Sequence, residues 1–318
     1  MKRTILNLLF FACSFVVVYT GIFAILFFIQ PNQIPMVYRV MQGAIWEGGN
    51  TWLKMQQFDE HKKWDIIVIG SSHAYRGYDP EIFKKHGYSM YNLGTSSQDP
   101  VCSYFLTEDL LDSINCSMLI IDFYDRVFGC DDMEPKSDLI QNTKYDKTAL
   151  KIAKATSDIR AVNMLTLRFF NKFKEPLNTD TTGFTNGFQV SKKFLSPLNK
   201  DNDKTGWKYT RNEKQVQHFD KLLALCKKRN IKTVVVSHPL SELYALKDHK
   251  ECVKSIEPLL HKHNISYLDY TELEEMSGII WYADASHLNH LGVPKFNEIL
   301  IRDLIKNNFL PERQQGHE

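Results

Sequence analysis

A serine hydroxyl is a poor nucleophile until a base takes its proton. A serine enzyme therefore needs an accessible Ser, an imidazole, and a carboxylate that fixes the imidazole tautomer. Two stretches of this chain carry those types at workable spacing. Gly70-Ser71-Ser72-His73 directly follows the apolar run Asp65–Ile69, which sets a hydroxyl on a tight strand-to-helix turn. Backbone N–H groups at such a helix start can stabilise an oxyanion. A phosphate-binding turn shares this look, but the Walker Gly-Lys-Ser/Thr pattern and the Rossmann glycine spacing are both absent. Near the other end, Asp284-Ala285-Ser286-His287 puts a carboxylate three residues before an imidazole. On one loop that Asp can hold Nδ1–H and leave Nε2 free to take a proton from Ser72. Asp284, His287 and His290 also stand at a spacing zinc could use, yet catalytic zinc usually draws ligands from several segments and no H-E-x-x-H helix is present. The expectation is a serine site with no metal and no cofactor.

For these parts to meet, the intervening chain must bring its two ends to one edge. Asp65–Ile69 is β-branched and apolar, as in a strand buried on both faces, and four runs resemble it: Met90–Leu93, Met118–Ile121, Thr233–Val236 and Ser266–Leu268. Helical patterns alternate with them at Val101–Leu111, Glu213–Lys228, Lys250–His263 and Val293–Lys306. Alternation of this kind predicts an α/β fold, three-layer α/β/α and flavodoxin-like, with a central parallel sheet. It breaks at about 127–211, an insertion with an amphipathic stretch from Leu150 to Phe173 and then a polar segment. The insertion either shapes a cleft at the strand ends or is a helical excursion. The expected organisation is residues 1–30 as tip and anchor, 31–63 as a juxtamembrane linker with a short helix around Val37–Trp46, and 64–318 as the catalytic domain.

At this point the residues resemble the SGNH, or GDSL-like, serine esterases and acyltransferases, over roughly Trp64 to Asn307. Gly70-Ser71-Ser72 is similar to the first family block, with Ser71 in place of the usual Asp and Ser72 at the nucleophile position. Asn92-Leu93-Gly94 resembles the second, and implies that the Gly94 N–H joins that of Ser72 in an oxyanion hole. Asp284-x-x-His287 resembles the last, and implies His287 as base and Asp284 as its orienting partner. After the third strand the family carries Gly-x-Asn-Asp, where this chain reads Asp122-Phe123-Tyr124-Asp125. The missing Asn leaves either the Tyr124 hydroxyl or two backbone N–H groups to hold the oxyanion. Gly70–Pro80 resembles membrane-anchored bacterial members that handle acyl groups on envelope polymers, including D-alanyl transfer proteins of teichoic acids and alginate acetylation proteins. That resemblance implies an exported esterase or O-acyltransferase. Its partners would be an acylated envelope glycan or acyl donor and a membrane-bound acyltransferase. The rival is a non-catalytic glycan-binding or scaffolding module on the same fold.

Around the expected triad, His73 and Arg76 either hold an anionic or sugar substrate or decorate a helix start. His238 ends a strand at the same edge, where it lines the cleft or serves as a structural histidine. Trp281 and Tyr282 either stack on a sugar ring or pack beneath the catalytic loop.

The location is written in the first thirty residues. From Ile5 to Ile29 the only strongly polar side chain is Asn7, and about 25 residues at ~1.5 Å each cross a hydrocarbon core of ~30 Å. Bulky Phe23–Phe28 disfavours a signal-peptide cleavage site, and Lys2 with Arg3 puts the short end in the cytoplasm. The expectation is a single-pass protein of the bacterial inner membrane whose catalytic domain is periplasmic or extracellular. Beyond the span, 39 Lys+Arg against 37 Asp+Glu exclude an electrostatic grip on nucleic acid. Of the 6 Cys, all but Cys13 lie on the exported side, where disulfides can form. Cys226 and Cys252 also fit as small buried hydrophobes.

Overall fold

Alternate residues of the central strands feed two separate cores. Ile67, Ile69, Leu119, Ile121 and Val235 point into one cluster, while Ile66, Val68, Met118, Ile120, Val234 and Val236 point into another. A strand with apolar side chains on both pleat faces must be covered on both sides, which is why these runs lack polar alternation.

The computed structural model describes residues 2–31, 35–39, 49–111, 114–171, 181–196 and 208–313. The strands are β1 (Lys63–Ile69), β2 (Met90–Asn92), β3 (Asn115–Asp122), β4 (Phe184–Thr185), β5 (Phe188–Gln189), β6 (Lys232–Ser237) and β7 (Ser266–Asp269). A five-stranded sheet runs in the order β2-β1-β3-β6-β7, with every pairing parallel. Helices Pro100–Leu110, Glu213–Lys228 and Leu246–His263 supply Leu106, Leu222 and Ile256 to the first core. Helices Pro80–Lys85 and Gly292–Lys306 supply Phe83 and Phe296 to the second. The result is the expected three-layer α/β/α arrangement. Chain connections from β1 and β3 leave toward opposite sheet edges, which opens a crevice beyond their carboxyl ends, the usual ligand position in such sheets.

Two expectations need correction. Residues 49–63 are not linker: Gly49–Gln57 is a helix whose Met55 is fully buried, and Phe58 and Trp64 join the first core. Polar composition hid this helix, because its buried face includes Lys54 and Thr51. Of the short helix expected around Val37–Trp46, Met36–Arg39 is helical and the remainder lies outside the described residues. The insertion holds helices Met133–Asn142, Asp146–Ala155 and Ile159–Asn171, so the single amphipathic stretch expected from Leu150 is two helices. The break falls at Thr156–Asp158, where the Asp158 carboxylate accepts from the Arg160 N–H and starts the second helix. Phe173 lies outside the described residues.

The insertion packs against the domain at two places. Its helices cover the first core through Leu139, Ile152 and Met164. Its β4–β5 hairpin reaches the strand ends, where Asn92 N–H donates to the Asn186 carbonyl at 2.9 Å. Gly187 at φ +85° makes that approach possible, since a Cβ there would meet the Asn92 carbonyl oxygen at 1.9 Å. At the amino end, Lys2–Phe28 is one continuous helix of 27 residues, long and apolar enough to cross a membrane.

Candidate active site

The turn after β1 is built around Gly70. Its φ of +144° suits glycine alone, and a Cβ would lie 2.8 Å from the Asp122 Cβ at the end of β3. Close approach of the two strand ends lets the chain turn at once into the short helix Ser72–Gly77. The Ser71 side chain caps that helix by accepting from the His73 N–H at 3.3 Å. Ser72 is half-buried at the first helical position, and its own N–H is uncommitted, since helix starts leave such donors without intrahelical partners.

The second half of the site is a loop between 283 and 287. Ala283 N–H donates to the His287 carbonyl at 2.8 Å, and Tyr282 bridges Leu288. Asn289 clamps the base of the loop, donating to the Ile280 and Tyr282 carbonyls and accepting from Leu291 and Gly292 N–H. Across 215 positions of sequence, Ser72 Oγ and His287 Nε2 meet at 2.7 Å. His287 Nδ1 faces both Asp284 carboxylate oxygens at 2.9 Å. Backbone N–H groups of Ser286 and His287 donate to Asp284 Oδ1 at 3.0 and 2.9 Å. Partial burial raises the Asp284 carboxyl, but the His287 ring and these N–H groups outweigh it and hold the acid well below the usual carboxylate range. The carboxylate thus stays ionised and keeps the Nδ1 proton on His287, with Nε2 turned to the serine. Both imidazole nitrogens are thus engaged within the Ser72–His287–Asp284 alignment.

Gly94 lies beside the nucleophile helix, with room for no Cβ: one would fall 2.5 Å from that of Ala74. Its N–H donates to Asn92 Oδ1 at 3.1 Å, so the expected second oxyanion donor already has an acceptor. Asn92 in turn donates to the Ala74 and Tyr78 carbonyls and pins the nucleophile helix to β2. Tyr124 is placed with its ring 3.8 Å, centroid to centroid, from that of His73.

His73 and His238 are both buried beneath the triad, with the His73 ring 4.2 Å from His238 and 4.6 Å from His287. Neither His73 ring nitrogen has a hydrogen-bond partner. Burial, joined by the neighbouring imidazoles, pushes the His73 pKa well down. Burial likewise takes His238 down to about 3, opposed by the Ser286 carbonyl 2.8 Å from its Nε2. Asp122 completes this layer. Burial pushes its carboxyl up to about 8, against the Tyr78 hydroxyl donating at 2.8 Å. The layer is therefore neutral near pH 7. Among the described residues, His73, Asp122 and His238 are the group whose ligand atoms all come within 4.8 Å of one another, and so are the ones that could hold a metal ion. In that group His238 Nδ1 and Asp122 Oδ2 stand 3.7 Å apart.

Arg76 lies along its neighbour's ring, 5.4 Å from the Tyr75 centroid. Tyr282 is buried with its hydroxyl donating to the Leu240 and Met276 carbonyls, so it packs under the loop and offers no face to a sugar. Trp281 carries the Lys295 ammonium 4.3 Å above its ring. Composition gave no sign of Asn92 and Asn289 as clamps; a buried Asn beside a glycine turn is the signal that points to such a role. Asp122 and Lys54 were missed as well, because a carboxylate and an ammonium ordinarily mark surface.

No family model and no curated protein matches the chain. Among solved structures it is similar to a GDSL-like lipase from Bacteroides thetaiotaomicron, with 11% identity, 83% of this chain and 99% of that one covered, and a TM-score of 0.41. It is similar to an esterase from Pseudoalteromonas sp., with 10% identity, 77% and 100% covered, and a TM-score of 0.38. A lipase/acylhydrolase from Enterococcus faecalis shares 11% identity over 80% and 99% of the two chains, at a TM-score of 0.37.

Proposed function

We propose that the protein is a membrane-anchored serine esterase or O-acyltransferase acting on acyl esters, acetyl among them, of a cell-envelope glycan. The observation that carries the catalytic part is the Ser72–His287–Asp284 alignment at 2.7 and 2.9 Å. In the reaction, Ser72 Oγ attacks the ester carbonyl as its proton passes to His287 Nε2, and the Asp284 carboxylate balances the imidazolium. The carbonyl oxygen becomes an oxyanion facing the Ser72 N–H. His287 then returns its proton to the departing alkoxide, leaving an acyl group on Ser72. Water, or a sugar hydroxyl, loses a proton to His287 and attacks that acyl group; as the acyl–Oγ bond breaks, His287 returns the proton to Ser72 Oγ and the acid or new ester departs. The charge-neutral layer of His73, Asp122 and His238 lies beneath and adds no competing base. Export and anchoring rest on the apolar helix Lys2–Phe28 with its flanking Lys2 and Arg3. The glycan and the membrane-bound acyltransferase partner rest on the resemblance over Gly70–Pro80.

A second reading, a glycan-binding or scaffolding module, is favoured by one observation: Gly94 N–H is committed to Asn92 and the third family donor is absent. Turnover of p-nitrophenyl acetate and fluorophosphonate labelling by the full chain separate the two. Hydrolysis and a label on Ser72, both lost in Ser72→Ala, support the enzyme. Glycan binding with no turnover and no label supports the module.

A further inference from the structure

One insertion helix has two very different sides. On Ile159–Asn171 the side turned to the protein is fully packed, with Ala161, Met164 and Leu167 at 0% exposure. Arg168 fixes it there by donating to the Ile140, Gln141 and Thr143 carbonyls and pairing with Asp146 at 2.7 Å. The opposite side carries Ile159, Val162, Phe169 and Phe170 at 59, 54, 83 and 58% exposure. At 100° per residue these four, with Thr166 among them, form a stripe roughly 100° wide that contains no charged side chain. Soluble surfaces seldom leave adjacent phenylalanines in water on an immobilised helix.

What covers the stripe follows from its neighbour. Tyr19 donates to Asn163 at 2.5 Å, and the Phe27 ring lies 5.8 Å from that of Phe170. The insertion helix therefore runs alongside residues 19–27 of the N-terminal helix, in the same direction, for about 10 Å. A hydrocarbon core needs ~20 helical residues; counted from Ile5, it ends near residue 24. The helix beside residues 19–27 thus runs from the outer half of the hydrocarbon core to just beyond its outer boundary.

Resting on the membrane-anchored reading above, we infer that Ile159–Asn171 is a second membrane contact. Its Ile159–Val162–Phe169–Phe170 stripe faces the acyl chains of the outer leaflet beside the span, with Phe169 and Phe170 at the headgroup boundary. Held by Arg168, it would fix the catalytic domain to the lipid surface at two points.

The test uses the full chain in nanodiscs of phosphatidylethanolamine and phosphatidylglycerol, one chain per disc. Modification by a membrane-impermeant maleimide is followed site by site by peptide mass spectrometry. Native Cys13, on the span, reports anchoring. Phe169→Cys and Val162→Cys report docking, and Lys228→Cys, exposed at a distant helix end, is the aqueous reference. The expected result is protection of Cys13 and at least tenfold slower modification at 162 and 169 than at 228. Modification at 162 and 169 as fast as at 228, with Cys13 protected, overturns the docking and leaves the anchor standing. Modification of Cys13 overturns the anchor and the inference with it. Protection at 162 and 169 only when two chains share a disc assigns the stripe to a second copy and also overturns it.

Discussion

The Lys54 ammonium donates to the Gly94 carbonyl oxygen, so the helix Gly49–Gln57 holds the strand end that borders the nucleophile. The contact is deep: Lys54 is 2% exposed, and Tyr91 returns a bond from its hydroxyl to the Lys54 carbonyl at 2.7 Å. Burial takes the ammonium down to about 7, with the nearby Asp138 pulling the other way. Lys54→Ala should both destabilise the fold, by about 1–3 kcal/mol for the buried Gly94 carbonyl left without its donor, and slow ester turnover. Lys54→Met, which keeps the volume, should recover much of the stability measured by urea unfolding while turnover stays low. Equal recovery of both would show that the ammonium does not position Gly94.

Asp284→Asn should lower kcat by about 10³–10⁴ with little change in KM, because an amide at that position stabilises the wrong imidazole tautomer. Steady-state kinetics on p-nitrophenyl acetate decide it. A loss under tenfold would mean that His287 is oriented by Ser286 and the loop alone.

Asp122 gives the fold a pH signature. Its carboxyl titrates at about 8 when folded and near the ordinary 3.8 when unfolded, so the folded state holds the extra proton between those values. The stability it contributes is full below pH ~4 and is lost as pH rises through about 8. Lys54, with its lowered value, acts in the opposite sense: its contribution is present above pH ~10.5 and lost as pH falls through about 7. Melting curves of Asp122→Asn, whose amide resembles the protonated acid, should fall less than those of the parent between pH 5 and 8. Parallel curves would place the Asp122 proton elsewhere.

Gly94→Ala should cost turnover out of proportion to stability. The new Cβ would fall 2.5 Å from the Ala74 Cβ and 3.0 Å from the Tyr75 nitrogen, pushing the helix that begins at Ser72. A displacement near 1 Å at a nucleophile can cost ~10²-fold. Ala74→Gly in the same chain removes the shortest contact, and partial return of kcat is the expected signature of this mechanism.

The strands were legible because double burial forces continuous β-branched runs. Thr233–Val236 reads as a strand in the sequence, and Lys232–Ser237 is one. Glu213–Lys228 was equally clear, since Asn212 caps the first turn and Lys227 and Lys228 close the last. Lys54 was not legible: its acceptor comes from residue 94 and the nearby opposite charge from residue 138, and a polar helix with a lysine reads as linker until those partners are known. The site divides in the same way. Asp284 and His287 are local to one loop and their spacing shows in the sequence. The capture of Gly94 N–H by Asn92 spans two residues and is local too, whereas the burial of His73 and His238 depends on which way strands β1 and β6 bring their ends together. Residue type cannot report that.

All six cysteines are free, with Cys102, Cys226 and Cys252 buried among apolar neighbours. Maturation of the catalytic domain therefore asks nothing of an oxidising folding catalyst, and thiol reductants should leave its ester turnover unchanged. Production in a reducing host becomes a direct route to the purified protein.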